Sequence, residues 1–253
     1  MSEYLKPRQL WRAIWPLAAY FFFPTIIVGI TLLSLTITSG SDNANRFITE
    51  NAIFLTGLAL SISLTLWIPL WLKTKKEHKP FNGGKLSVAK IAFTVFLFAG
   101  NLLLVIVLLG NLLPPVAMEG FLVSLTSGSL LLRIVVIGLL APVVEELVFR
   151  GVLLNRLSSW LPIWATVLIS SLLFGLIHLN LIQILYAVPG GILFAVVYIR
   201  TRNMSLPILG HIVFNLGSVL ILQHFENTGA DWPPIMIAIP AVIVMVISLF
   251  VLW

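Results

Sequence analysis

The sequence predicts an all-α, polytopic membrane protein with about eight transmembrane helices, on three observations. Of its 253 residues 59% are hydrophobic and only 9% charged, with a mean hydropathy of +1.08; a soluble domain is nearer a quarter charged. The apolar residues fall into eight runs of about the 20 residues that a helical span needs. The basic residues collect at alternate ends of those runs.

The runs are approximately 13–38, 48–72, 89–112, 128–156, 160–179, 182–200, 204–223 and 234–253. The first is too long for a signal-peptide core and no small-residue cleavage site follows it, so it reads as a retained span. The second and third flank the longest connection, the basic loop Lys73 to Lys90 with Gly83-Gly84. The other connections are short. The chain therefore reads as one integral membrane domain over 1–253, with 128–223 as the core that carries the polar groups.

With the N-terminus inside, the inner ends hold Lys6, Arg8 and Arg12; Lys73, Lys75, Lys76, Lys79, Lys85 and Lys90; Arg150 and Arg156; Arg200 and Arg202. These are 13 of the 15 basic residues, leaving Arg46 and Arg133 outside. The positive-inside rule then puts both termini in the cytoplasm. The net charge of +6 follows this sidedness, so no nucleic-acid partner is expected. The eight tryptophans, Trp11, Trp15, Trp67, Trp71, Trp160, Trp164, Trp232 and Trp253, fall near predicted span ends, as in an aromatic belt. Without cysteine there is neither a disulfide framework nor a thiolate metal site.

The fourth run breaks the apolar pattern. Glu3, Asp42, Glu50, Glu77, Glu119, Glu226 and Asp231 fall in loops or at span ends, whereas Glu145 and Glu146 lie well inside a span. One ionised group at the centre of a membrane helix costs ~2.5–3.5 kcal/mol, so such residues face protein or water and mark function. His78 and His224 lie at loops, while His178 and His211 fall in the fifth and seventh spans. Asn215 follows His211 by one helical turn, on the same face.

Helix geometry separates the two glutamates. Neighbouring side chains point about 100° apart. Arg150 stands four residues after Glu146, the spacing at which such a pair neutralises itself. That leaves Glu145 facing elsewhere, beside a kink expected from Pro142, which cannot donate to the Gly138 carbonyl. Glu146 and Arg150 thus read as support and Glu145 as the reactive group. Singly, each polar residue has a plain structural reading: an intramembrane histidine or asparagine often joins helices, and Phe174 is most simply core. Together they converge on water activation. A desolvated carboxylate suits general acid–base work, histidine relays protons, and His211 and Asn215 can donate to an oxyanion. Ser205-Leu206-Pro207 reads as a helix start, placing His211 in its second turn, where the dipole favours negative charge.

Glu145-Glu146-x-x-x-Arg150, Phe174-x-x-x-His178 and His211-x-x-x-Asn215, intact, in order and on separate spans, resemble the three-motif signature of the CAAX prenyl protease and bacteriocin-processing family. These are also called Abi-type or glutamic intramembrane proteases. The resemblance covers about Leu130 to Leu220. It implies an eight-helix intramembrane endopeptidase acting on a lipidated CAAX-type protein or a small leader- or bacteriocin-like peptide within the lipid bilayer. Glu145 and His178 would activate water, His211 and Asn215 would stabilise the oxyanion, and Glu146, Arg150 and Phe174 would support them. No cofactor or metal is implied. The rival readings are a zinc metalloprotease using the same residues as ligands, a proton-coupled transporter, and a non-proteolytic immunity or scaffold protein.

Overall fold

The computed structural model describes residues 7–77, 81, 83–114, 128–229 and 231–252. Glu3, Lys6, His78, Lys79, Glu119 and Trp253 lie outside the described residues. Every described element is helical: α1 (Pro7–Ser39), α2 (Ser41–Glu50), α3 (Ala52–Glu77), α4 (Val88–Leu112), then α5 (Leu130–Arg133), α6 (Ala141–Glu146) and α7 (Asn155–Leu157) joined by two π-helical turns. These are followed by α8 (Ile163–Leu176), α9 (Leu181–Thr201), α10 (Ser205–Thr228), a 3-10 turn (Ile235–Ile237) and α11 (Ala238–Leu252). Among the described residues, six helices are long and apolar enough to cross a membrane. The protein is an all-α, multi-pass membrane protein.

Two of the eight runs depart from simple spans. The fifth becomes α8, a helix of 14 residues, about 21 Å long against the roughly 30 Å of a hydrocarbon core. The fourth is a composite rod in which π turns at Ile134–Leu140 and Leu147–Leu154 bracket the α-helical segment that carries both glutamates. Such π segments are rare and often mark functional sites. Pro142 explains part of it. In the π register the Ala141 N–H bonds the Val136 carbonyl, so the next carbonyl, Ile137, faces a proline nitrogen without hydrogen. The orphan acceptor is therefore Ile137 rather than Gly138, and the Asn215 side chain fills it, Nδ2 donating at 3.0 Å.

Helix association in lipid relies on close packing over small residues. At Gly210 on α10 an added Cβ would sit 2.1 Å from the Phe98 ring of α4, so only glycine admits that approach, immediately before His211. Phe98 in turn stacks on Phe194 of α9, centroids 4.6 Å apart.

The aromatic belt holds in part. Trp11 and Trp164 are well exposed, but Trp67 is fully buried in the core. Trp232 covers Gly110 and lines an internal cavity. Proximity to a span end in sequence did not distinguish a lipid-facing ring from one turned into the bundle. Arg133 likewise is no free outer charge: it is buried, pairing with Glu226 at 3.4 Å and hydrogen-bonding Gln223, which ties α5 to α10.

Candidate active site

Glu145 from α6, His178 from the turn after α8, and His211 and Asn215 from α10 line one cavity of about 360 Å³. Three features of the chain bring them there. The α6 segment presents Glu145 and Glu146 to α10. Gly210 lets α10 close on α4, and the next residue, His211, faces α6. The early end of α8 places His178 in a turn.

His178 lies about as far along the chain from the inner connection as Glu145 does. Counted from the 158–162 connection, Glu145 lies 13 residues before it and His178 16 residues after it, roughly 20 and 24 Å along helices. The two therefore lie at similar distances from that connection, and α8 ends at Leu176, just before His178. Residues 181–190 are simply the first half of α9. Where α8 stops, its last carbonyls lose their helical partners. His178 N–H bonds Gly175 instead, at 3.2 Å, and the His178 ring takes the Phe174 carbonyl through Nδ1 at 2.9 Å. A carbonyl only accepts, so Nδ1 carries the hydrogen and Nε2 presents its lone pair. Leu179, at φ 53°, makes the reversal in a conformation uncommon for a bulky residue.

Glu146 and Arg150 meet as their spacing predicts, Arg150 Nη1 donating to Glu146 Oε1 at 2.8 Å, with both side chains fully buried. Arg150 Nη2 reaches the Gly191 carbonyl at 2.8 Å. The guanidinium also stands over the rings of Phe174 at 4.6 Å and Phe194 at 5.1 Å. The separation of the two glutamates is less complete than 100° suggests, because one imidazole reaches both. His211 Nδ1 lies 2.9 Å from Glu146 Oε1, and its Nε2 lies 3.6 Å from Glu145 Oε2. The two ring nitrogens face different ways, so a histidine on the opposite helix bridges side chains that point apart.

Phe174 is 2% exposed and joins the site together. Its centroid is 5.3 Å from that of His178 and 5.6 Å from that of His211. Phe194 stacks face to face on His211 at 4.5 Å, fixing the plane of that ring. Among the described residues no hydrogen bond joins His178 to Glu145, and no three acidic or imidazole groups converge as a metal-ligand set.

Two contributors were not singled out from the sequence. Tyr20 of α1 donates its hydroxyl to Glu145 Oε1 at 3.1 Å and packs edge-on against Phe149. A tyrosine deep in an apolar run, away from the interface where such rings collect, was the available signal. Asn101, at the middle of α4, lines the same cavity; one polar residue within an apolar span was its signal.

Residues 127–217 match the family model described as type II CAAX prenyl endopeptidase Rce1-like, a stretch that contains all three motifs. Over 81 residues the chain is 33% identical to a protein of Bacillus subtilis (strain 168) named "Putative membrane peptidase YdiL". That alignment covers 32% of this chain and 33% of the relative, so the chain matches about a third of the relative's length. No solved structure matches.

Proposed function

We propose that this chain, whose residues 127–217 match the type II CAAX prenyl endopeptidase Rce1-like model, is a membrane-embedded endopeptidase of glutamic type. It would cleave a peptide bond near the membrane in a CAAX-type lipidated protein or a small leader-like peptide. The observation that carries the reading is the convergence of Glu145, His178, His211 and Asn215 on one cavity inside an apolar bundle. In this reading the basic end of the bundle faces the cytoplasm.

Glu145 acts as general base. Water attacks the scissile carbonyl carbon and gives a proton to Glu145, while His178 Nε2 accepts the second hydrogen bond of that water. The carbonyl oxygen becomes an oxyanion. Asn215 spends one amide hydrogen on Ile137 and has a second to donate to it. His211 holds its Nδ1 hydrogen on Glu146, so it can donate from Nε2 only as imidazolium. Glu145, 3.6 Å away, supplies that proton after taking it from water. The tetrahedral intermediate then collapses, the C–N bond breaks, and the leaving amine takes the proton from His211. Glu146 and Arg150 hold His211 in register and complete the buried charge.

The test is direct. The full-length protein is reconstituted in lipid nanodiscs and given a farnesylated Cys-aliphatic-aliphatic-Met peptide and an unmodified apolar peptide. Products are mapped by mass spectrometry. Cleavage of at least one at a single bond, absent in Glu145→Gln, supports the reading; intact peptides throughout overturn it.

Tyr20 anchors the Glu145 carboxylate from α1, so Tyr20→Phe should lower kcat about 10–100-fold, the worth of one hydrogen bond to a charged group. It should leave KM and melting temperature near wild type. A proportional fall in folded protein would instead make Tyr20 a packing residue.

The zinc alternative makes a separate demand. His211 Nδ1 and Glu146 are engaged with each other and with Arg150, and the motifs contain no His-x-x-x-His pair of the kind zinc proteases use. Activity should therefore survive prolonged chelation, with far less than one equivalent of metal by elemental analysis. Stoichiometric zinc, with activity lost on stripping and restored on adding it back, would reassign these side chains as ligands.

A further inference from the structure

One polar group on the cavity wall has no part in the reaction above. Asn101 lies 13 residues from Val88 and 11 from Leu112 in α4, about 17–20 Å from either helix end. It is 5% exposed, its amide is not among the sealed buried polar atoms, and it opens onto the cavity with no side-chain hydrogen bond among the described residues. The other polar side chains of the same helix are satisfied. Thr94 bonds the Lys90 carbonyl at 2.7 Å, and Asn111 bonds the carbonyls of Val107 and Pro233, each at 2.8 Å. An amide in the middle of an apolar helix adds nothing to packing, and this one faces the cavity without a protein partner among the described residues.

Its surroundings supply the use. Asn101 shares the cavity with Glu145, His178, His211 and Asn215. Opposite it stands Gly190 of α9, where a Cβ would come within 4.0 Å of Asn101 Nδ2; glycine leaves that side of the amide open. Leu102, Val105 and Ile106, on the same helix, make the adjoining wall apolar. A carboxamide offers a carbonyl acceptor and two N–H donors in one plane, the complement of the N–H and C=O of a peptide unit.

The geometry points to Asn101 as a substrate-binding residue that holds a backbone amide of the peptide beside the scissile bond. This rests on the proteolytic reading above. It acts on the bound ground state, so its loss falls on KM. The opposite arrangement, a donor to the oxyanion, would fall on kcat.

The experiment uses the full-length protein in nanodiscs with the two peptides named above. Asn101→Leu removes the amide at nearly constant volume, and Asn101→Gln keeps the amide on a longer arm. Asn101→Leu should raise KM about 10–100-fold, the effect of leaving a substrate amide without its partner, with the change absent from kcat. Its melting temperature should equal or exceed that of wild type. Asn101→Gln should recover part of the lost affinity. In a Glu145→Gln background, anisotropy of the labelled peptide should show the same weakening without turnover. Unaltered KM in Asn101→Leu, a loss confined to kcat, or a lowered melting temperature would each overturn the assignment while leaving the protease reading in place. Failure of wild type to cleave either peptide would overturn the protease reading, and this inference with it.

Discussion

Glu145→Gln should take peptide hydrolysis to background, a loss of about 10²–10⁴-fold or more, the contribution of a positioned general base. The variant remains folded. The Glu145 carboxylate keeps one hydrogen bond, from Tyr20 at 3.1 Å, and stands 3.6 Å from His211; glutamine can still accept from Tyr20 and has nearly the same volume. No buried cation depends on Glu145 alone, since Arg150 is bonded to Glu146 and Gly191. Thermal unfolding in detergent and kcat on the cleaved peptide, measured on the same preparation, separate the two effects. A melting temperature lowered as far as that of Glu146→Gln would show that both carboxylates are structural.

Glu146→Gln should have the opposite profile, its first effect falling on stability. Arg150 and Glu146 are both fully buried and 2.8 Å apart. Removing one partner leaves the guanidinium charged and uncompensated, at about 3–5 kcal/mol for a buried pair. Phe174 and Phe194 beneath the guanidinium offset only part of that. Activity should fall as well: glutamine can still accept from His211 Nδ1, but the buried negative charge that would stabilise the His211 imidazolium is gone. The double variant Glu146→Gln/Arg150→Met removes both charges at similar volume and should recover most of the lost melting temperature but not the activity. A double variant less stable than Glu146→Gln alone would mean that Arg150 contributes through the Gly191 carbonyl and the rings rather than through its charge.

Much of this was legible in the chain. Hydropathy located the helices because burying backbone polar groups in lipid leaves the helix as the economical solution, and 20 apolar residues are hard to mistake. Glu145 and Glu146 stood out because ionised groups in an apolar run have no packing purpose. The i,i+4 spacing of Glu146 and Arg150 predicted their contact, since helical periodicity is local. The three motifs announced the family stretch that the comparison finds at 127–217.

Tertiary structure alone decided the rest, and the reason is the same in each case. Where a helix ends in space, which register it takes and what faces it across the bundle depend on other helices. Run length made the fifth span 160–179, but the helix stops at Leu176, and that early stop puts His178 in a turn, with its Nδ1 on the Phe174 carbonyl. Pro142 announced a disturbed helix without saying that it would be a π turn or that Asn215, 78 residues away, would take the freed carbonyl. Nothing periodic connects Tyr20 or Asn101 to Glu145; α1 and α4 bring them to the cavity by packing. His211 bridges two glutamates that point apart because it stands on the facing helix α10 with its two ring nitrogens turned different ways. Composition and spacing thus determined which residues must be hidden from lipid, while long-range packing decided which of them meet.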